Sequence, residues 1–223
     1  MTVRLLTVLG PKGGVGKSTI ASSLLVAARL QGIEAAGLDL DSQRSLAGWA
    51  ETRAATGREP ACVVAEGRVT SWRDDLPDAE LVVVDTPPGL EGDSYLEALQ
   101  DLVLASDLVL VPALPKGPTF IKVRDVAVAF ARQGAVVAFV LNEADPRRTA
   151  TGEAREYLRE GGELCDVEIP PREDIHRTML EGASVVEDTR LGGSAARPRW
   201  PRCGRSWRAA SDGARKPFPP LDC

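Results

Sequence analysis

The chain has 223 residues, of which 43% are hydrophobic and 4% aromatic, and its formal net charge is −5. This length suits a single domain, and a core poor in aromatic side chains is typical of buried parallel strands rather than of an aromatic-packed sandwich. No apolar run approaches the length of a membrane span, and the short apolar start at 3–9 ends in glycines rather than a cleavage site. The sequence therefore predicts a cytoplasmic protein that does not act on a membrane.

Strand-like and helix-like patterns alternate along the chain. Strands are predicted at 4–9, 35–39, 62–65, 81–84, 108–111, 135–141 and near Val167, with Pro112 closing the fifth. Helices are predicted at 17–31, 45–56, 94–105, 119–132, 149–160 and 172–180. Continuous apolar strands separated by helices predict an α/β fold, a doubly wound and mostly parallel sheet with helices on both faces. Ligands of such sheets bind beyond the carboxyl ends of the strands, and the polar motifs of this chain follow strand ends.

The segment 192–223 differs from the domain predicted at 1–191. It is rich in arginine and proline and has no hydrophobic period, and its seven basic and two acidic residues give it a charge of +5, so 1–191 carries −10. This composition predicts a disordered tail, and it also resembles GC-rich codons read out of frame. A basic arm that binds DNA is the alternative. A body of charge −10 can bind a polyanion only through a local basic patch.

The cysteines and the one histidine do not form a metal-binding or disulfide pattern. No two cysteines are spaced as CxxC, and His176 is the only histidine. A zinc or disulfide framework is therefore not expected. The four cysteines are Cys62, Cys165, Cys203 and Cys223.

The first polar motif is the glycine loop "GPKGGVGKST" between the first strand and the first helix. Glycines let the backbone N–H groups approach a phosphate closely, and the start of the helix adds a positive dipole end. Lys17 can reach the β- and γ-phosphates, and the Ser18 hydroxyl can bind Mg²⁺. The strict pattern G-x-x-x-x-G-K-[ST] fails at one position, where Pro11 replaces glycine. The loop predicts a P-loop nucleotide site with an unusual second lysine, Lys12.

Carboxylates follow two other strands. Asp85 ends the apolar run in "LVVVDTPPG", where a Walker-B carboxylate that supports Mg²⁺ belongs. In "LDLDSQ", Asp39 and Asp41 are two positions apart, so an extended chain would point both the same way. One of them could contact the Mg²⁺ shell while the other orients the attacking water.

Asn142 follows the strand in "FVLNEAD" and could read the base of the nucleotide. N-x-x-D resembles the guanine-reading N-K-x-D motif of GTPases, with Asp145 in place. However, Glu143 occupies the position of the lysine, and "DTPPG" has one residue too many for D-x-x-G. Guanine specificity therefore remains the alternative to adenine.

Together these motifs resemble the deviant Walker A ATPases of the ParA/MinD family. "KGGVGKST", "LDLDSQRSLAGW" and "VVVDTPPG" carry most of the resemblance, and "LNEADPR" and "EIPPREDIHRTMLEGASVVED" add weaker matches. The chain is most similar to the small ParA-type partition ATPases. The resemblance implies slow, partner-stimulated hydrolysis of ATP with Mg²⁺, in a homodimer that sandwiches the nucleotide. It also implies nonspecific DNA binding, a nucleoid-associated location and a ParB-like adaptor.

Carried over by position, the resemblance implies a role for each polar residue. Lys12 would reach the partner's phosphates, Lys17 those of its own protomer, and Asp41 would position or activate water as the third catalytic residue. The metal would be held by Ser18, Asp41 and Asp85. The nucleotide-binding residues would be Gly13, Gly14, Val15, Gly16, Lys17, Ser18, Thr19, Asp85 and Asn142. The candidate DNA contacts are Lys116, Lys122, Arg147, Arg148, Arg172 and Arg177.

Two other functions remain open. A P-loop ligase or amidotransferase-type enzyme would use the same loop to transfer phosphate to a carboxylate of a small molecule. A MinD-like positioning ATPase would not act on DNA, but MinD proteins use a C-terminal amphipathic helix that the proline-rich tail does not resemble.

Overall fold

A computed structural model describes residues 3–89, 93–116, 119–171 and 173–187. The strands are β1 (Arg4–Val8), β2 (Ala35–Asp39), β3 (Val63–Glu66), β4 (Leu81–Asp85), β5 (Leu108–Ala113), β6 (Val137–Leu141) and β7 (Glu163–Leu164). The helices are α1 (Lys17–Leu30), α2 (Ser45–Ala55), α3 (Asp93–Ala105), α4 (Thr119–Arg132), α5 (Thr149–Gly161) and α6 (Glu173–Leu180). A 3₁₀ turn spans Val69–Ser71. The tail predicted at 192–223 lies outside the described residues.

The strands form one sheet in the order β3-β2-β4-β1-β5-β6-β7, and every pairing is parallel. This confirms the predicted doubly wound α/β class. Successive residues of a strand face opposite sides, so the sheet separates two apolar clusters. Val82 and Val84 of β4 join the cluster with α3, α4 and α5, whereas Leu81 and Val83 join the cluster with α1 and α2. Burial on both faces explains the uninterrupted apolar strands.

Pro112 lies inside β5, so the prediction that it ends the strand is wrong. The Leu110 carbonyl accepts a hydrogen bond from Leu9 N–H, and the Ala113 carbonyl accepts one from Asn142 N–H. Alternate residues of β5 therefore bond to opposite neighbours, and Pro112 faces the side on which β1 has already ended. The missing N–H of proline costs no ladder bond there.

The last strand was also misplaced. The predicted strand near Val167 is absent from the described chain, and β7 consists of Glu163–Leu164, paired with Ala138 and Phe139 of β6. A strand this short carries too few residues for a periodic signal. Beyond it the chain still follows β6, because Ile169 N–H donates to the Leu141 carbonyl.

The carboxyl ends of the central strands meet at one edge of the sheet. Val8 of β1 is in register with Asp85 of β4, and Asp85 is in register with Asp39 of β2. Residues far apart in sequence therefore lie side by side, as expected for a ligand site in this topology. None of the helices within the described ranges is long and apolar enough to cross a bilayer.

Candidate nucleotide-binding site

The glycine loop turns directly from β1 into α1. Gly14 and Gly16 adopt φ of 75° and 92°, in the left-handed region that glycine enters without strain. No side chain caps the amino end of α1, and its first turn holds no acidic residue. The orphan N–H groups and the positive helix end are therefore available to an anion.

The two loop lysines occupy different environments. Lys17 is buried with 6% of its surface exposed, and its Nζ donates to the Lys12 carbonyl oxygen at 3.2 Å. Burial lowers the pKa of Lys17, while the negative charges of Asp85 and Asp41 oppose that shift. Lys12 is exposed, and its side chain forms no ion pair with the residues that the structure describes. The buried Lys17 contacts the glycine loop of its own chain, whereas the ammonium group of Lys12 is exposed on the surface of the loop.

Asp85 is fully buried at the end of β4. Neither of its carboxylate oxygens accepts a well-formed hydrogen bond from the described chain. Burial raises the pKa of Asp85 to about 7. The Ser18 hydroxyl opposes this shift, because its hydrogen bond favours the charged carboxylate. An unsatisfied buried carboxylate is costly unless a cation completes it.

Both carboxylate oxygens of Asp39 accept hydrogen bonds from backbone N–H groups. One oxygen accepts hydrogen bonds from Leu46 N–H and Ala47 N–H, and the other from Asp41 N–H, at 2.9 to 3.0 Å. Asp39 thus satisfies the amino end of α2, and its predicted contact with the metal shell or the water stays a prediction. Asp41 is half-buried and uses one oxygen to accept from Gln43 N–H. The other Asp41 oxygen accepts no hydrogen bond from the described residues and suits ligand chemistry.

These residues fit a Mg²⁺ ion bound together with phosphates. No cluster of three or more His, Cys, Asp or Glu side chains that could cage a metal occurs in the described parts of the chain. Magnesium is usually held by one or two carboxylates, a hydroxyl and phosphate oxygens rather than by such a cage. The unsatisfied Asp85, with Ser18 beside it, meets that requirement.

Asn142 braces the glycine loop from the end of β6. Its Nδ2 donates to the Val15 carbonyl at 2.9 Å, and its Oδ1 accepts from Glu143 N–H at 3.0 Å. A Cβ added to Gly16 would lie 2.3 Å from Asn142 Nδ2, so the glycine is required for this approach. Contact with the adenine base stays a prediction; the observed bonds assign Asn142 a place against the loop.

Asp145 is already engaged. Its two oxygens accept from Nε and Nη2 of Arg147 at 3.0 and 3.1 Å, and Arg148 lies 3.8 Å away. The Arg147 side chain holds the pKa of Asp145 below its usual range. Reading guanine with Asp145 would require this exposed pair to exchange partners, so the N-x-x-D alternative stays open.

The candidate DNA contacts are mostly neutralised by neighbouring acids. Among those in the described ranges, Lys122 alone has no ion pair there; the pairs are Lys116–Glu143, Arg147–Asp145, Arg148–Asp145, Arg177–Asp174 and Arg177–Glu181. Arg172 lies outside the described residues. These pairs are exposed, so each contributes little to folding and its cation can exchange partners.

Sequence reasoning missed Thr86. The buried Thr86 hydroxyl donates to the Val8 carbonyl at 2.9 Å and fastens the turn after β4 to the end of β1. Pro88 of the same turn would lie 4.0 Å from a Cβ added to Gly13, so this segment borders the glycine loop. A threonine directly after the Walker-B aspartate was the available signal.

The raised pKa of Asp85 predicts that the stability of the nucleotide-free protein depends on pH. Because the folded state holds the proton up to about pH 7, its stability is greatest below the unfolded-state pKa and falls as the pH rises through 7. Asp85→Asn should therefore be more stable than wild type by roughly 2–4 kcal/mol at pH 8. Urea unfolding from pH 5 to pH 8 measures this difference, which should shrink toward acid pH.

The control for this prediction is Asp101→Asn, whose exposed parent carboxylate has a lowered pKa. It should bring no gain at pH 8. A stability difference between wild type and Asp85→Asn that does not change with pH would contradict the predicted titration.

The fold and the glycine loop define a P-loop nucleotide-binding domain. Residues 6–185 match the family described as the CobQ/CobB/MinD/ParA nucleotide binding domain, and the chain belongs to this family. The predicted ParA/MinD relationship is confirmed. The family also contains the CobQ and CobB proteins, so membership alone does not choose between a positioning ATPase and a metabolic enzyme.

Comparison with individual proteins gives more detail than the family match. The chain is 35% identical over 190 residues to the "Maintenance of carboxysome distribution protein A" of Gloeobacter kilaueensis, covering 82% of this chain and 84% of the relative. A protein of Borrelia burgdorferi described as a plasmid partition protein, bound to AMPPNP, superposes with a TM-score of 0.66 at 17% identity, covering 87% of this chain and 96% of that one. The septum site-determining protein MinD of Pyrococcus horikoshii, in complex with Mg-ADP, superposes with a TM-score of 0.64 at 16% identity. The superposition covers 87% of this chain and 93% of that one.

Proposed function

We propose that this protein is a Mg²⁺-dependent ATPase of the ParA type that dimerises around ATP and positions cargo on nonspecific DNA. One relative is named for distributing carboxysomes. The cargo here is a plasmid, a chromosome or another large body. Hydrolysis is slow in the isolated protein and is stimulated by a ParB-like adaptor. The observation that carries the proposal is the side chain of Lys12, which is exposed and has no ion pair among the described residues, beside the buried Lys17.

The two lysines support a dimer in the following way. Lys17 already lies inside its own loop, with Nζ on the Lys12 carbonyl, and on binding it exchanges that carbonyl for phosphate oxygens. The Lys12 side chain is exposed at the surface of the loop, where a second chain facing it across the nucleotide would receive its charge. Extra positive charge at the γ-phosphate accelerates transfer, so hydrolysis becomes dependent on dimerisation.

The acidic residues support metal-assisted hydrolysis. Ser18 and Asp85 would hold Mg²⁺, which supplies charge neutralisation at the phosphate oxygens when bound. The free carboxylate oxygen of Asp41 would accept a hydrogen bond from the attacking water and orient it toward the γ-phosphate. Asp41 is also a candidate for the metal shell, either directly or through water.

Nonspecific DNA binding would use the exposed basic side chains. Their acidic partners keep the free body electrically negative, which suits a protein that binds DNA only in one nucleotide state. Phosphates would displace the weak surface partners Asp145 and Asp174, and binding would weaken steeply with salt. Lys122 has no ion pair within the described part of the chain and contributes its charge directly.

The test of the proposal is binding to a fluorescent nonspecific duplex at two salt concentrations, with ATP and Mg²⁺ or with ADP. Wild type should bind with ATP and release the duplex with ADP. Lys12→Ala should keep ATP binding but lose the dimer, measured by light scattering, and lose most of its DNA affinity. Arg159→Ala, which removes an exposed charge on α5, is the matched control and should behave as wild type.

A metabolic enzyme gives a different result in the same assay. ATP turnover that requires a small carboxylate substrate, with no DNA binding in any nucleotide state, would contradict the positioning function and favour a CobQ/CobB-type activity. An ATP-dependent dimer that does not bind DNA would instead favour MinD-like positioning.

A further inference from the structure

We propose that the Glu143 carboxylate selects adenine over guanine, held in place by Lys116. The proposal rests on the ATP site proposed above and adds to it a residue that reads the base. It concerns the loops after β5 and β6, which the phosphate and metal chemistry do not use.

The sheet order determines the side of the loop on which the base lies. The acids that suit the metal end β4 and β2, on one side of β1. β5 and β6 lie on the other side, and Asn142 at the end of β6 contacts the Val15 carbonyl of the glycine loop. With the γ-phosphate and metal directed toward Asp85, the ribose and base extend over the ends of β5 and β6. Glu143 is the next residue after Asn142.

The backbone holds Glu143 in a strained conformation. Its φ is 53°, in the left-handed region that a residue with a long side chain seldom adopts. Its N–H donates to Asn142 Oδ1, and the following residue, Ala144, donates its N–H to the Ile169 carbonyl. Such strain persists where surrounding bonds determine the backbone, and it is concentrated at ligand sites. The position of Glu143 is therefore tied to the residue that braces the phosphate loop.

Lys116 links the two loops. Its ammonium forms an ion pair with Glu143, and the two side chains are 55% and 31% exposed. A pair this exposed adds little to folding. It does restrict the carboxylate to the space between the ends of β5 and β6, where the edge of the base would lie.

The chemistry of the purines makes this carboxylate selective. Adenine presents a 6-amino donor, which a carboxylate accepts, whereas guanine presents the O6 acceptor, which a carboxylate repels. The lysine found at this position in the N-K-x-D motif is here replaced by a charge of opposite sign. Asp145, the acid of that motif, is bound by Arg147. The reversed charge at position 143 is the difference that disfavours guanine.

The test compares nucleotides that differ at the 6-position. Dissociation constants are measured with Mg²⁺ for ATP, GTP and purine riboside triphosphate, which lacks the 6-amino group. Wild type should prefer ATP over purine riboside triphosphate by roughly tenfold, the value of one charge-assisted hydrogen bond. Glu143→Gly tolerates the positive φ and should bring this ratio close to one. Glu143→Gln should narrow the ATP-to-GTP preference by about tenfold.

Glu153→Gln, which neutralises an exposed glutamate on α5, is the control and should leave both ratios unchanged. Lys116→Ala should reduce the ratios in part, because the carboxylate is then free to rotate away. If both Glu143 variants bind ATP with unchanged ratios, the selective role of Glu143 is wrong although the ATP site stands. If wild type binds none of the three nucleotides, the ATP site itself is wrong.

Discussion

Lys17→Ala should reduce ATP turnover by at least about 100-fold and weaken ATP binding strongly. Lys17 is the only buried cation among the described residues of the glycine loop. The charges of Asp85 and Asp41 act on it and favour its protonated form. Removing a preorganised charge from a reaction centre commonly costs 10²–10³-fold in rate. Binding of a fluorescent ATP analogue and phosphate release, both with Mg²⁺, measure the two effects.

The effect of Lys17 must be separated from that of Lys12. Lys12→Ala should retain ATP binding by the monomer, because the Lys12 side chain is exposed and contributes only its backbone carbonyl to the loop. Lys17→Ala should lose binding at every protein concentration. Thermal unfolding without nucleotide checks that both variants are folded. Equal ATP affinity of Lys17→Ala and wild type would mean that the backbone N–H groups alone bind the phosphates.

Arg53→Ala should destabilise the fold by roughly 3–5 kcal/mol, the usual cost of removing one partner of a buried ion pair. The Arg53 side chain is 1% exposed and forms two hydrogen bonds with Glu187, at 2.7 and 3.0 Å. It also donates to the carbonyls of Pro60 and Gly182 and lies 5.5 Å from the centre of the Trp49 ring. Alanine would leave the half-buried Glu187 carboxylate and two carbonyls without this donor.

Arg73→Ala is a closely matched control. Arg73 also forms a two-bond pair, with Asp101, and lies 4.3 Å from the centre of the Trp72 ring, but its side chain is 59% exposed. Its loss should cost less than about 1 kcal/mol. Urea unfolding measures both variants. Similar losses for the two arginines would contradict the importance of burial.

The contribution of the pair itself follows from a double-mutant cycle. Arg53→Ala combined with Glu187→Ala should cost less than the sum of the single changes, because neither variant residue leaves an unpaired charge. The pair joins α2 to the segment after α6, where Trp49 Nε1 also donates to the Ala183 carbonyl. Strict additivity would show that the two side chains stabilise the fold independently.

Local signals determined much of the site. The glycines, Lys17 and Ser18 are contiguous, so their arrangement depends on one turn between a strand and a helix. Asp85 follows from an apolar run whose end is visible in the sequence. The sequence could not show that Asp39 binds the amino end of α2, because its partners, Leu46 and Ala47, become accessible only when α2 begins beside the end of β2. A spacing of two residues cannot show which of two carboxylates caps a helix.

The sequence by itself determined the alternation of strands and helices, the parallel sheet and the glycine loop, because hydrophobic period and glycine content act over a few residues. Only the tertiary structure decided the strand order, the continuation of β5 through Pro112 and the two-residue β7. It also decided that Arg53 is buried and that Glu143 meets Lys116. These features depend on pairings between distant segments, and the energy of a charge depends on what surrounds it after folding.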